Sequence, residues 1–138
     1  MSTTSDTRST TGAARASGGL VTAFRVVAAL AVVVVLWQFV TAGQLLPRPA
    51  AGPLLGHQAG AIVLHVVSGL AAVAAVVLWR QGVVGLGLAA LAVVTFGFSF
   101  VQAALGGYDS LWAHVPGAML LTTGVVWVLV ASLRLRRA

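Results

Sequence analysis

Three histidines are the only side chains in this 138-residue sequence whose ordinary titration falls near neutral pH, and each can also ligate a metal. His57 and His65 share one apolar segment, and His114 lies in another, within "LWAHVPG" (residues 111–117). Neutral imidazole is the commonest metal ligand and an axial ligand of haem iron. Cysteine is absent, which removes disulfides, thiolate ligation and thioether-linked haem. The two acids, Asp6 and Asp109, fall outside the apolar runs, so no carboxylate pair or nucleophile–base pair forms there. Hydrolase and transferase chemistry has no support, and the reading leans away from an enzyme.

The elements that must carry these histidines follow from composition. The chain is 59% hydrophobic and 7% charged, beyond the roughly 45–50% apolar content of soluble domains. A membrane span needs about 20 mostly apolar residues, and four runs satisfy it: Leu20–Leu45, Leu54–Trp79, Val83–Leu105 and Leu111–Leu133. Valine and alanine run together without polar alternation, so strands are not expected. Short connections join the runs, which predicts an all-α integral membrane four-helix bundle of up-down-up-down topology. "PRPAAGP" cannot be helical throughout, "RQG" is a tight hairpin turn, and "GGYDS" offers a glycine stop and Ser110 as a cap for helix 4. No repeat period or coiled-coil heptad stands out.

The net charge of +6 is arranged by side of the membrane. Arg8, Arg15 and Arg25 precede the first apolar centre, Arg80 sits in the 2–3 turn, and Arg134, Arg136 and Arg137 close the chain. The positive-inside rule then puts both termini in the cytoplasm and the protein in the plasma membrane as a multi-pass chain. Arg48 and Asp109 are left on the outer side. Nucleic acid is not an expected partner, because the arginines do not interleave with aromatics on one surface. Residues 1–19, rich in Ser, Thr and Gly, read as a disordered cytoplasmic tail, and residues 134–138 as a short basic one. Val40-Thr41-Ala42 resembles a signal-peptidase site, but the apolar stretch before it exceeds a signal-peptide core, so helix 1 is expected to stay attached.

Polar residues concentrate in the outer half. Gln38, Thr41 and Gln44 are on helix 1, His57, Gln58, His65 and Ser68 on helix 2, Thr95, Ser99 and Gln102 on helix 3, and His114 on helix 4. Thr122 and Thr123 are the inner exception. Polar groups in lipid are costly and turn toward a bundle interior, so a polar pocket near the outer face is expected. The spacing of His57, Ala61, His65 and Ser68 puts them along one helix face. The same spacing serves interhelical hydrogen bonding alone. His114 lies 20 residues before Arg134, whereas His57 and His65 lie 23 and 15 before Arg80. At 1.5 Å per residue, His57 is about 5 Å from the depth of His114 and His65 about 8 Å the other way. His57 is therefore the better partner. Pro116 should free the carbonyl of Trp112, and the kink should tilt His114 inward.

At these residues a resemblance appears. "HQAG" (His57–Gly60), "QAALG" (Gln102–Gly106) and the helix-4 histidine resemble one four-helix half of a haem A synthase, and also small four-span membrane proteins of actinobacteria. The synthase family has histidine ligands on the second and fourth helices of each half. The resemblance implies haem b held by His57 and His114, with His65 and Gln102 close to the cofactor. Two departures stand against haem modification. Leu54 replaces the family's carboxylate before the helix-2 histidine, and Gln58 replaces the arginine after it.

Two functions follow as expectations. The first is a non-enzymatic membrane protein that binds a b-type haem for electron transfer, beside a membrane redox complex or as a homo-oligomer. The second is an accessory subunit whose polar residues are packing contacts, with Gly85, Gly87, Ala89 and Ala90 giving helix 3 a small face for close approach. A transporter or channel subunit ranks lower, because the spans hold no acids.

Overall fold

The computed structural model describes residues 6–46 and 51–135. Four long helices follow one another: α1 (Asp6–Leu45), α2 (Ala51–Arg80), α3 (Leu86–Ala104) and α4 (Leu111–Leu133), with one 3-10 turn at Tyr108–Ser110. No strand occurs among the described residues. All four helices contain stretches long and apolar enough to cross a membrane, that of α1 being Gly18–Leu45. The protein is an all-α, multi-pass membrane bundle.

The boundaries differ from expectation for local reasons. α1 begins at Asp6, so it takes in most of the stretch expected as a disordered tail. No proline interrupts residues 6–46, and extending a nucleated helix adds one hydrogen bond per residue. α2 starts at Ala51 and carries Pro53 in its first turn, where a missing N–H costs little. α3 starts three residues later than expected because Val83 and Val84 close the end of α2. Gly82 (φ +72°) lets its own N–H reach the Trp79 carbonyl and that of Val83 reach the Leu78 carbonyl, both at 2.9 Å. This left-handed glycine closure satisfies carbonyls that α2 leaves open. Ser110 does not cap α4 as expected. Its hydroxyl donates back to the carbonyls of Leu105 and Gly107, tying the α3–α4 connection together. Arg48, Arg136 and Arg137 lie outside the described residues.

Each helix packs on its chain neighbours, and α1 also packs on α4, so α1 faces α3 and α2 faces α4 across the diagonals. Buried alanines at Ala28, Ala71, Ala75, Ala89 and Ala92 bring the backbones close, with Phe24 and Leu78 fully enclosed among them. A second apolar cluster of Ala31, Val35, Leu64, Val67, Leu121 and Val125 fills the bundle further along. Outward faces are large and apolar, as at Val33, Leu36, Ile62, Val73, Val94 and Leu120. Such a surface belongs in a lipid bilayer.

The two hairpins repeat one another, which the sequence did not display. Aligning His57 with His114 pairs Gly60 with Gly117, Leu64 with Leu121, Ser68 with Val125, Ala71 with Val128 and Ala75 with Ser132, and every one of these is buried. Aligning Gln38 with Gln102 pairs Val35 with Ser99, Ala31 with Thr95 and Ala28 with Ala92, again all buried. α1–α2 therefore maps onto α3–α4 as a half-turn about the bundle axis would carry it. The residue types differ while the small or inward character is kept, so no period is visible in letters alone.

Candidate functional site

At one end of the bundle all four helices contribute a polar side chain to a common place. His57 and His114 meet there across the α2–α4 diagonal, their ring centres 6.3 Å apart and their planes at 66°. His114 donates from Nδ1 to the backbone carbonyl of Gln102 on α3 at 2.9 Å, since that oxygen can only accept. Nδ1 of His57 lies 3.0 Å from Oγ1 of Thr41 on α1. The Thr41 hydroxyl has one proton and directs it to the carbonyls of Trp37 and Gln38. With that assignment Nδ1 of His57 is the donor, and its lone pair is on Nε2. Nδ1 is thus the protonated nitrogen that donates in both imidazoles, and among the described residues neither Nε2 has a hydrogen-bond partner. A ring nitrogen fixed by a neighbouring oxygen is what sets the other for a metal.

Two glutamines lie one helical turn from the histidines. The Gln38 carboxamide sits over Gly60, where a Cβ would come within 3.1 Å of its oxygen. The Gln102 side chain occupies the same place over Gly117, so tightly that no Cβ fits. Gln102 is 4% exposed. Among the described residues neither its Nε2 nor its Oε1 has a hydrogen-bond partner, nor does Oε1 of Gln38. Unpaired buried carboxamide atoms each carry a desolvation cost of about 1–3 kcal/mol. Trp37 completes this end, donating from its indole nitrogen to the Gly56 carbonyl at 3.1 Å.

His65 is not part of this group. It sits eight residues further along α2, about 12 Å away on helix geometry, and turns toward α3. Its Nδ1 lies 3.0 Å from the Ser99 hydroxyl, which donates to the Phe96 carbonyl at 2.6 Å. The imidazole packs against Phe100 with ring centres 4.1 Å apart.

The remaining polar residues do other things. Gln44 and Gln58 are exposed. Thr122 and Thr123 donate to carbonyls of their own helix. α4 is continuous through Pro116, and His114 is part-buried within the bundle. Of the small residues expected to give α3 a face for close approach, Ala89 is buried in the bundle, whereas Gly85, Gly87 and Ala90 are exposed, with open space around both glycines. Sequence reasoning missed the contacts of four residues. Thr41 was visible as a polar residue near the end of α1, but its pairing with His57 depends on how α1 and α2 cross. Gly60 and Gly117 carried a signal, since each stands three residues after a histidine. Arg25 is the fourth. It donates to the carbonyl of Ser132 in the last turn of α4 and to that of Leu135 just beyond the helix. Compared with family models, with curated proteins and with solved structures, the chain matches none.

Proposed function

We propose that the protein binds a b-type haem in the membrane, which His57 and His114, one from each helical hairpin, would hold. The ring separation of 6.3 Å carries this reading. Two imidazoles on opposite sides of one metal, with bonds of about 2.0–2.1 Å and roughly 1.1 Å from nitrogen to ring centre, stand roughly 6 Å apart. The donor set agrees with that spacing, because each Nδ1 is engaged and each Nε2 is left as the ligating atom. The unpaired amides of Gln38 and Gln102 support a bound group beside them. When bound, the haem would supply one-electron transfer. The chain's own residues do the rest. Thr41 and the Gln102 carbonyl hold the rings.

The arginine distribution adds an orientation to this proposal. Both termini are cytoplasmic, and the histidine pair lies toward the outer face of the plasma membrane. The test is an absorption spectrum of protein purified from haem-replete cells. A Soret band with sharp low-spin bands on reduction is expected. A colourless preparation that takes up no added haemin overturns the reading.

A second reading, an accessory subunit of a larger membrane complex, is favoured by one observation. Exposed Gly87 and Ala90 leave α3 a shallow strip at which another helix can approach closely.

A further inference from the structure

The internal repeat provides its own control for His65. The α2–α3 groove and the α4–α1 groove are equivalent under the repeat, and each is closed by packed helices. In the α4–α1 groove the positions matching His65, Ser99 and Phe100 are Thr122, Val35 and Leu36, and Thr122 merely bonds back to Ala118. Packing therefore needs neither an imidazole nor an aromatic ring at these places. Only the α2–α3 groove has them.

The arrangement there is specific. The Ser99 hydroxyl donates to the Phe96 carbonyl, so Nδ1 of His65 donates to Ser99 and the lone pair is on Nε2. His65 is only part-buried, and among the described residues its Nε2 has no hydrogen-bond partner. Phe100, 48% exposed, lies beside the imidazole toward lipid. Phe96 meets Phe100 edge-on at 5.1 Å and rests on Gly69, where a Cβ would come within 3.0 Å. An acceptor in hydrocarbon is stabilised only by a donor that is itself lipid-soluble or by trapped water. Aromatic faces beside it favour a flat ring.

We propose that the α2–α3 groove binds a lipid-soluble hydroquinone, whose hydroxyl donates to Nε2 of His65 while its ring packs on Phe100. This site stands on its own observations and does not require the haem reading. The test uses the full chain, with 15N-labelled histidine, in phospholipid nanodiscs under reducing conditions. The His65 Nε2 resonance is identified as the one missing from His65→Gln and is followed during titration with decylubiquinol. A saturable shift is expected, with none from the dimethyl ether of the same compound, which lacks the donor. Phe100→Leu, on an exposed face, should weaken binding about fivefold, the scale of one aromatic contact. The proposal is overturned by no shift, by an equal shift with the ether, or by an Nε2 already hydrogen-bonded to water before any hydroquinone is added. Wild-type discs that lack haem yet show the shift would sink the haem reading and leave this one standing.

Discussion

Gln102 is joined to His114 through its backbone and to the next turn of α4 through its side chain. Its carbonyl accepts a hydrogen bond from Nδ1–H of His114, and its carboxamide lies in the hollow over Gly117. One residue of α3 thereby sets both the rotation of the imidazole and the distance between two helices. The repeat divides the same two tasks in the other hairpin, where Thr41 receives the His57 proton and Gln38 fills the hollow over Gly60.

The ligand pair is the first thing to test. His57→Ala and His114→Ala should each abolish the low-spin haem spectrum, because each removes one axial nitrogen. His65→Ala should keep it, since His65 bonds to Ser99 and not to the pair. A bleached His65→Ala protein beside a normal His57→Ala protein would show the pairing to be wrong.

Thr41→Val keeps the shape of the side chain and removes the oxygen that receives the His57 Nδ1 proton. Haem affinity should fall by about tenfold or more, as for other partners of metal-bound histidines. Haemin titration of the variant measures this, with Thr122→Val as the control that should change nothing.

Gly117→Ala places a methyl group against the Gln102 side chain in a closed part of the bundle. Overpacking of this kind should cost about 1–3 kcal/mol. Gly97→Ala meets nothing within 4 Å and should be neutral or slightly stabilising. Thermal unfolding in detergent, compared across the two variants, decides it.

Arg25→Gln withdraws a cation and its hydrogen bonds from the last carbonyls of α4. The loss should be about 1 kcal/mol, the scale of a charge at a helix C-terminus. Arg80→Gln, at an exposed position, should cost much less. Equal effects would mean that Arg25 acts through general charge alone.

Topology reporters fused after Ala138 should behave as cytoplasmic, and a reporter in the connection after Leu46 as external. Reversal of both would turn the bundle over and move the histidine pair to the inner side.

The four spans and the fourth helix's limits could be read directly, because twenty-odd apolar residues in lipid permit little besides a helix. That His57 rather than His65 lies beside His114 was also legible, since depth along a helix follows from counting residues. Depth says nothing about rotation, so the turn of His65 toward Ser99 could not be read in the same way. Thr41 became a partner of His57 only through the crossing of α1 and α2. The start of α3 was obscured because valines at 83 and 84 are apolar enough for a span, yet their N–H groups are used by α2. The repeat was hidden for a simpler reason. Burial between close helices demands small or inward residues, and serine, alanine, threonine and valine serve it interchangeably.

The division of the site between two hairpins has a consequence for biosynthesis. When α1 and α2 have entered the membrane, only His57, Thr41 and Gln38 are in place, and a single imidazole faces an open side. The second nitrogen arrives only with α4, the last of the four described helices in chain order. Any group held by both histidines must therefore be loaded after α4 has entered the membrane, so occupancy of the site reports that both hairpins are in place.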